Sequence, residues 1–180
     1  MRIFGVDPGS HRTGYGCIES DGSRHRLVDY GALTVPTRVA FPEKLHIIHH
    51  GLTELLARHE PDTVAIEDLF HAKNARSALK LGHVRGVLIL AACQAGVNIA
   101  QYTPTEIKSA VVGYGRAEKA QVQQMVTLLL AMETAPSPLD ASDALAVAIC
   151  HSHSAGTTTS SVAGVPRSWR QYRPGPRGGL

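Results

Sequence analysis

Two short apolar runs in this 180-residue chain each end on an acid. Arg2-Ile3-Phe4-Gly5-Val6 runs into Asp7 and breaks at Pro8-Gly9, and Thr63-Val64-Ala65-Ile66 runs into Glu67. Both runs read as buried strands, and a carboxylate at the end of such a strand is costly unless something compensates its charge. A third element adds two more acids. Asp140 and Asp143 stand three apart at the start of a small-residue helix, Asp140-Ala141-Ser142-Asp143-Ala144-Leu145-Ala146. Residues at that spacing share a helix face, with Cβ atoms about 5–6 Å apart, so both acids can reach one centre. Any fold of this chain has to place these four carboxylates where their charge is tolerated.

Hard divalent cations such as Mg²⁺ meet that need, because they prefer oxygen ligands and keep positions open for substrate phosphate. Two such ions about 3.5–4 Å apart can activate a water and stabilise the leaving oxygen of a phosphodiester displacement. Plainer readings exist for each acid alone: Asp7 as a turn aspartate, Asp140 as a helix cap, Asp143 as a first-turn acid favourable to the helix dipole. Those readings do not explain why three separate elements each present an acid at a strand end or helix start.

The rest of the chain reads as strands first, then strands alternating with helices, which implies a mixed sheet covered by helices. Arg2–Asp7, Thr13–Ser20 and roughly His25–Val35 form three consecutive antiparallel strands, with a hairpin signal at Asp21-Gly22. Pro42 opens a helix over Glu43–His59 with Leu45, Ile48, Leu52, Leu55 and Leu56 on one face. Thr63–Glu67 is a fourth strand, Ala75–Ala95 a long helix closed by Gly96, and Asn98–Tyr102 a fifth strand. Helices follow over Glu106–Val112, Glu118–Met132 and about Leu139–His151. The apolar stretch from Gly86 to Ala95 is too short for a bilayer, which needs about 20 residues, and reads as a buried helix. From Ser154 the composition turns to Ser, Thr, Gly, Pro and Arg, which predicts a folded domain over 1–153 and a disordered basic tail over 154–180.

Cysteine and charge narrow the setting. Cys17, Cys93 and Cys150 are odd in number, far apart and without a C-x-x-C pair, so they read as reduced thiols of a cytoplasmic protein. Asp7 interrupts the first apolar run, so the start lacks the layout of a signal peptide. The net charge is +3, and no acid follows Asp143, whereas Arg167, Arg170, Arg173 and Arg177 do. Without those four arginines the body is close to neutral. Within it, Lys73, Arg76, Lys80, Arg85, Lys108, Arg116 and Lys119 face only Glu106 and Glu118. Basic flanks around an acidic centre suit an anionic substrate steered onto a metal.

Several of these residues have specific readings. Lys73, Arg76 and Lys80 follow a helical spacing just past Glu67, a solvated face or a phosphate contact. Phe70, one of three Phe, lies three residues past Glu67 and ahead of that basic stripe, a place suited to base stacking. Lys108 and Lys119 flank Gly113-Tyr114-Gly115, whose glycines allow close backbone approach to a ligand. His49-His50 and His151-Ser152-His153 have no matching second pair at ligand spacing and read as solvent-facing.

Taken together, the chain resembles the bacterial RuvC-type Holliday junction resolvases of the RNase H-like nuclease superfamily. The resemblance rests on Gly5-Val6-Asp7-Pro8-Gly9-Ser10 with Thr13-Gly14-Tyr15-Gly16, on Ala65-Ile66-Glu67-Asp68-Leu69-Phe70, and on Ala72-Lys73-Asn74-Ala75 with Ser77-Ala78-Leu79-Lys80-Leu81-Gly82. Lys108, Val111-Val112-Gly113, Ala117-Glu118-Lys119 and Asp140 to Ala146 complete it. It implies an RNase H-like five-stranded mixed sheet working as a homodimer, and paired symmetric nicks in four-way junction DNA. It further implies Asp7, Glu67, Asp140 and Asp143 as ligands of two Mg²⁺ ions, with Mn²⁺ able to substitute. Phe70 would stack on bases near the crossover, Lys108 and Lys119 would hold scissile-strand phosphate, and the branch-migration proteins RuvA and RuvB would be partners. The arginine-rich tail matches no motif of the family, and its expected role is non-specific attraction to DNA.

Three rival readings remain in view. Asp7-Pro8-Gly9 also mimics the first phosphate loop of actin-like ATP-binding phosphotransferases, but the chain has no room for their second lobe. A junction-binding module without cleavage would be expected to lack a site acid, and all four are present. A same-superfamily nuclease acting on RNA or unbranched DNA is countered by the match from Phe70 through Gly82.

Overall fold

The computed structural model describes residues 1–68 and 74–157. Phe70, Lys73 and the tail from residue 158 lie outside the described residues. Five strands, β1 (Arg2–Asp7), β2 (Arg12–Ser20), β3 (His25–Thr34), β4 (Thr63–Glu67) and β5 (Asn98–Tyr102), form one sheet in the order β3-β2-β1-β4-β5. β1, β2 and β3 pair antiparallel, whereas β1, β4 and β5 run parallel. The mixed five-stranded sheet expected from the sequence is present. Five helices cover it: α1 (Phe41–His59), α2 (Ala75–Gln94), α3 (Pro104–Val112), α4 (Lys119–Leu129) and α5 (Leu139–Thr157).

Side chains alternate across a strand, so each strand of this sheet feeds two cores. Phe4, Val6, Cys17, Val64 and Ile66 pack with Ile48 and Leu52 of α1 and Val84 and Leu88 of α2. Ile3, Ile18 and Ala65 pack with α3, α4 and α5 on the opposite face. Counting by twos from Ile3 and Ala65 puts Asp7 and Glu67 on the α5 side. Phe4 pairs with Val64 and Val6 with Ile66, so the two acids end adjacent parallel strands at the same level.

α5 lies unusually close to the sheet. A Cβ at Gly5 would come within 2.0 Å of the Ala144 carbonyl oxygen, and one at Gly14 within 1.9 Å of the Asp140 carbonyl oxygen. At Gly16 it would meet the Leu145 side chain at 2.6 Å. Gly5 pairs with Gly16 and Asp7 with Gly14 across β1 and β2, so the glycines form one seam under the helix. Ala141, Ala144 and Ala148, all fully buried, present small side chains from the helix to that seam.

Three elements differ from the sequence reading. α4 ends at Leu129 rather than near Met132, because Ala131 turns left-handed (φ 48°) and the amides of Ala131 and Met132 close back on the carbonyls of Leu128 and Thr127. α5 continues past His151 to Thr157, tied by Ser152, which is buried against Ser20. α2 is not a buried helix: Val84, Leu88, Ala91 and Ala92 face the core, while Leu79 and Leu90 are 66% and 51% exposed.

The seam predicts a specific sensitivity. Gly5→Ala should lower stability by about 1–3 kcal/mol, because the methyl collides with helix backbone that cannot rotate away, and the urea midpoint reads that loss.

Candidate active site

The ends of β1 and β4, the start of α5 and the adjoining ends of α3 and α4 enclose a cleft of about 290 Å³. Asp7, Glu67 and Asp143 line it together with Lys108 and Lys119. Pro104, Ile107, Val122 and Ala146 supply its apolar walls. Local chemistry fixes each part. The Thr103 hydroxyl accepts from the Glu106 amide while the Glu106 carboxylate accepts from the Thr103 amide, a reciprocal cap that starts α3. Pro104, Ile107 and Lys108 then share one face of that helix.

The turn after Asp7 is pinned independently of the acids. Thr13 Oγ1 donates to the Gly9 carbonyl at 2.8 Å, the Val35 amide donates to the His11 carbonyl at 3.0 Å, and buried Lys44 reaches His11 Nδ1 at 3.3 Å. Beyond Glu67, Asp68 accepts from Arg85 at 3.1 Å, and its amide donates to the Tyr102 carbonyl at 2.7 Å. Both acid-bearing strand ends are therefore braced by neighbours that take no part in the cleft.

Electrostatics shows what the cleft lacks. Burial, then the nearby charges of Glu67, Asp143 and Asp140, push the Asp7 carboxyl up to about 9. Burial and Asp143 also push Glu67 up, against a hydrogen bond with Asp7 and the opposing pull of Lys119 and Lys108. Both acids are thus shifted towards their neutral forms, Asp7 the more strongly. Lys119 Nζ donates to Asp143 Oδ2 at 2.7 Å, and that bond raises the lysine's own proton affinity. With protein groups alone, the site disfavours the ionised forms of Asp7 and Glu67.

Near enough for its charge to act on Asp7, Asp140 lies at the margin. Its Oδ2 accepts from exposed Arg12 at 3.5 Å, and it does not line the cleft. Among the described residues no three His, Cys, Asp or Glu converge as a closed metal-ligand set. The oxygen-only donor set of Asp7, Glu67 and Asp143, whose burial penalises the charges of Asp7 and Glu67, nevertheless has the chemistry of a hard-cation site.

The predicted basic residues divide. Lys108 and Lys119 enter the cleft, whereas Arg76 and Lys80 are exposed on the first turns of α2, outside it. Lys80 sits 5.7 Å over the Phe41 ring. The glycines between Lys108 and Lys119 have structural rather than ligand-facing roles: Gly113 is the left-handed cap of α3 (φ 93°), and a Cβ at Gly115 would meet Thr105 at 2.5 Å. Sequence reasoning missed Arg12, whose proximity to Asp140 spans 128 positions and left no local signal.

Comparison with known proteins places the chain. The family model for crossover junction endodeoxyribonuclease RuvC matches residues 3–151. The crossover junction endodeoxyribonuclease RuvC of Pelobacter propionicus is 49% identical over 177 residues, covering 97% of this chain and 100% of the relative. That of Citrifermentans bemidjiense is 54% identical over 156 residues, covering 87% and 94%. The solved structure of Thermus thermophilus RuvC in complex with Holliday junction substrate superimposes with a TM-score of 0.81 at 31% identity, covering 88% of this chain and 98% of that one. A strand-borne pair of acids facing a third from the closely seated α5 is thus carried by a chain that belongs to the RuvC family of crossover junction endodeoxyribonucleases.

Proposed function

We infer that this protein is a structure-specific endodeoxyribonuclease that resolves four-way DNA junctions by metal-dependent phosphodiester hydrolysis, in recombination and repair. The observation that carries the reading is Asp7, which ends a central strand and meets Glu67 and Asp143 in one cleft with Lys108 and Lys119. Asp7, Glu67 and Asp143 would hold Mg²⁺, two ions per site, with Asp140 completing the set and Mn²⁺ able to substitute. The bound ions supply an activated water and charge stabilisation on the leaving oxygen.

The chain's own groups do the rest. The apolar walls from Ile107 and Val122 exclude bulk water from one side of the cleft. Lys119, kept protonated beside Asp143, and Lys108 are placed to receive phosphate oxygens and to stabilise the charge that builds on them. In sequence Phe70 and Lys73 lie three and six residues past Glu67; we assign Phe70 base stacking on the family resemblance and Lys73 phosphate contact as the start of the basic stripe. Exposed Arg76 extends that basic path, and Lys80 continues it from its seat on Phe41.

Paired nicks require two sites, and a C₂ dimer presents the same site twice. The exposed side of α2 supports pairing between copies. Leu79 and Leu90 stand beside Gly82 and Gly86, where an added Cβ would meet nothing within 4 Å. The groove there is about 610 Å³ and largely apolar. RuvA and RuvB are proposed partners on family grounds. We place the protein in the cytoplasm: Cys17, Cys93 and Cys150 are free thiols, and among the described residues no helix is long and apolar enough to cross a membrane.

The deciding experiment is cleavage of a synthetic four-way DNA junction with Mg²⁺, beside linear duplex and RNA controls. Symmetric ligatable nicks in the junction alone, abolished by Asp7→Asn with binding retained, are expected; cleavage of RNA or linear duplex instead would sink the assignment. Asp7 also sets a pH dependence. An acid whose folded pKa is raised binds more protons folded than unfolded, so metal-free stability falls as pH rises from the ordinary carboxylate range towards about 9. In EDTA at roughly one pH unit below that value, Asp7→Asn should melt higher than the parent, and Mg²⁺ should stabilise the parent alone. Lys119→Gln should lower the cleavage rate by about 10²–10³-fold with little change in junction affinity. Leu79→Glu should shift the protein to monomer in sedimentation and replace paired nicks with single ones.

A further inference from the structure

At the opposite end of α5 from the acids, two histidines 128 positions apart meet ring to ring. His25, at the start of β3, and His153, near the end of α5, bring their Nε2 atoms to 3.2 Å, with ring centroids 5.2 Å apart. Far from facing solvent as the sequence suggested, His153 is half-buried, and so is His151, whose Nδ1 meets the Tyr102 hydroxyl at 2.7 Å.

The partners of the far ring nitrogens fix the chemistry. His153 Nδ1 lies 3.0 Å from the Ala110 carbonyl, which only accepts, so Nδ1 carries the hydrogen and Nε2 of the neutral ring presents a lone pair. His25 Nδ1 lies 3.0 Å from Ser20 Oγ, which is itself 2.6 Å from Ser152 Oγ and accepts from the Gly22 amide. Ser20 can donate to that nitrogen or accept from it, so His25 can present either an N–H or a lone pair to His153. Burial, and then the charge His153 would carry, push His25 below the usual histidine range, while Asp21 pulls the other way; the neutral ring is favoured.

We propose that His25 and His153 form a two-histidine site for a divalent transition-metal ion such as Zn²⁺, separate from the carboxylate cleft. Two imidazole nitrogens bound tetrahedrally at the usual 2.0–2.1 Å from zinc stand about 3.3 Å apart, close to the spacing already present. Metal-bound histidines characteristically donate their other N–H to an oxygen, and Ala110 O and Ser20 Oγ are in place to receive them. Imidazole selects zinc, nickel or copper over Mg²⁺, which prefers oxygen. No third His, Cys, Asp or Glu among the described residues joins the pair, so water completes the coordination. The ion fastens the β2–β3 hairpin to α5 and, through Ala110, to α3.

The test uses full-length protein stripped with EDTA, then held in millimolar Mg²⁺ to fill the carboxylate site, and titrated with Zn²⁺. His46 and His50, stacked one turn apart on the exposed face of α1, are the competing pair, and His50→Gln is the comparator. Expected are one Zn²⁺ per chain in the parent and in His50→Gln, with the Nε2 resonances of His25 and His153 shifted together in long-range ¹H–¹⁵N spectra. A melting temperature higher by about 5–10 °C is expected at a hundredfold excess over Kd. Both His25→Gln and His153→Gln should lose the ion while keeping Mg²⁺-dependent junction cleavage, which reports an intact fold. Absence of Zn²⁺ binding, binding that survives both substitutions, or binding lost only with His50→Gln would overturn the proposal and leave a proton-sharing histidine pair.

Discussion

The closeness of α5 to the sheet is the constraint on which the molecule depends. Gly5, Gly14 and Gly16 remove the side chains that would hold a helix at ordinary distance, and alanines on the facing side of α5 complete the approach. The gain is dense packing over Ile3 and Ile18, with Leu145 and Ile149 fully buried. The consequence is positional: the first turn of α5 is pressed against β2 at Gly14, so Asp143 is carried into the cleft that Asp7 and Glu67 open onto. A bulkier seam would leave an intact sheet and a displaced carboxylate. Packing in the core and placement of the site are here the same contact.

That placement stores an electrostatic imbalance. Three carboxyls face one cleft of about 290 Å³ with two lysines, and the Asp7 carboxyl is pushed well above the usual carboxylate range. Burial is the largest cause, and the neighbouring acids add to it. The protein bears an uncompensated site because strand pairing and helix seating are satisfied elsewhere. Lys119, paired with Asp143, moderates the repulsion without abolishing it.

Much of this was legible in the sequence because the signals were local. Each apolar run ending on an acid marked Asp7 and Glu67 at the ends of buried strands, and the i, i+3 spacing put Asp140 and Asp143 on one helix face. The five strands and the parallel–antiparallel split followed from hairpin and crossover signals. What escaped the sequence depended on distance in the chain. Arg12 finds Asp140, and His25 finds His153, only after the sheet forms. The apolar run of α2 read as core because composition cannot tell one buried face from two, and Leu79 and Leu90 point away from the sheet. Asp140 looked equivalent to Asp143, but the helix seats the first beside Arg12 and the second in the cleft.

The strand pattern also decides where the chain tolerates a change of length. Between Ile3 and Asp7, or between Thr63 and Glu67, one inserted residue would turn the acid to the α1–α2 side and its neighbour into the cleft. The β2–β3 pair already absorbs such an offset, because its register shifts between Cys17 and Ile18. An offset of one residue thus has a place in the hairpin, whereas the two inner strands that carry the acids must keep their frame to hold both acids on the α5 side.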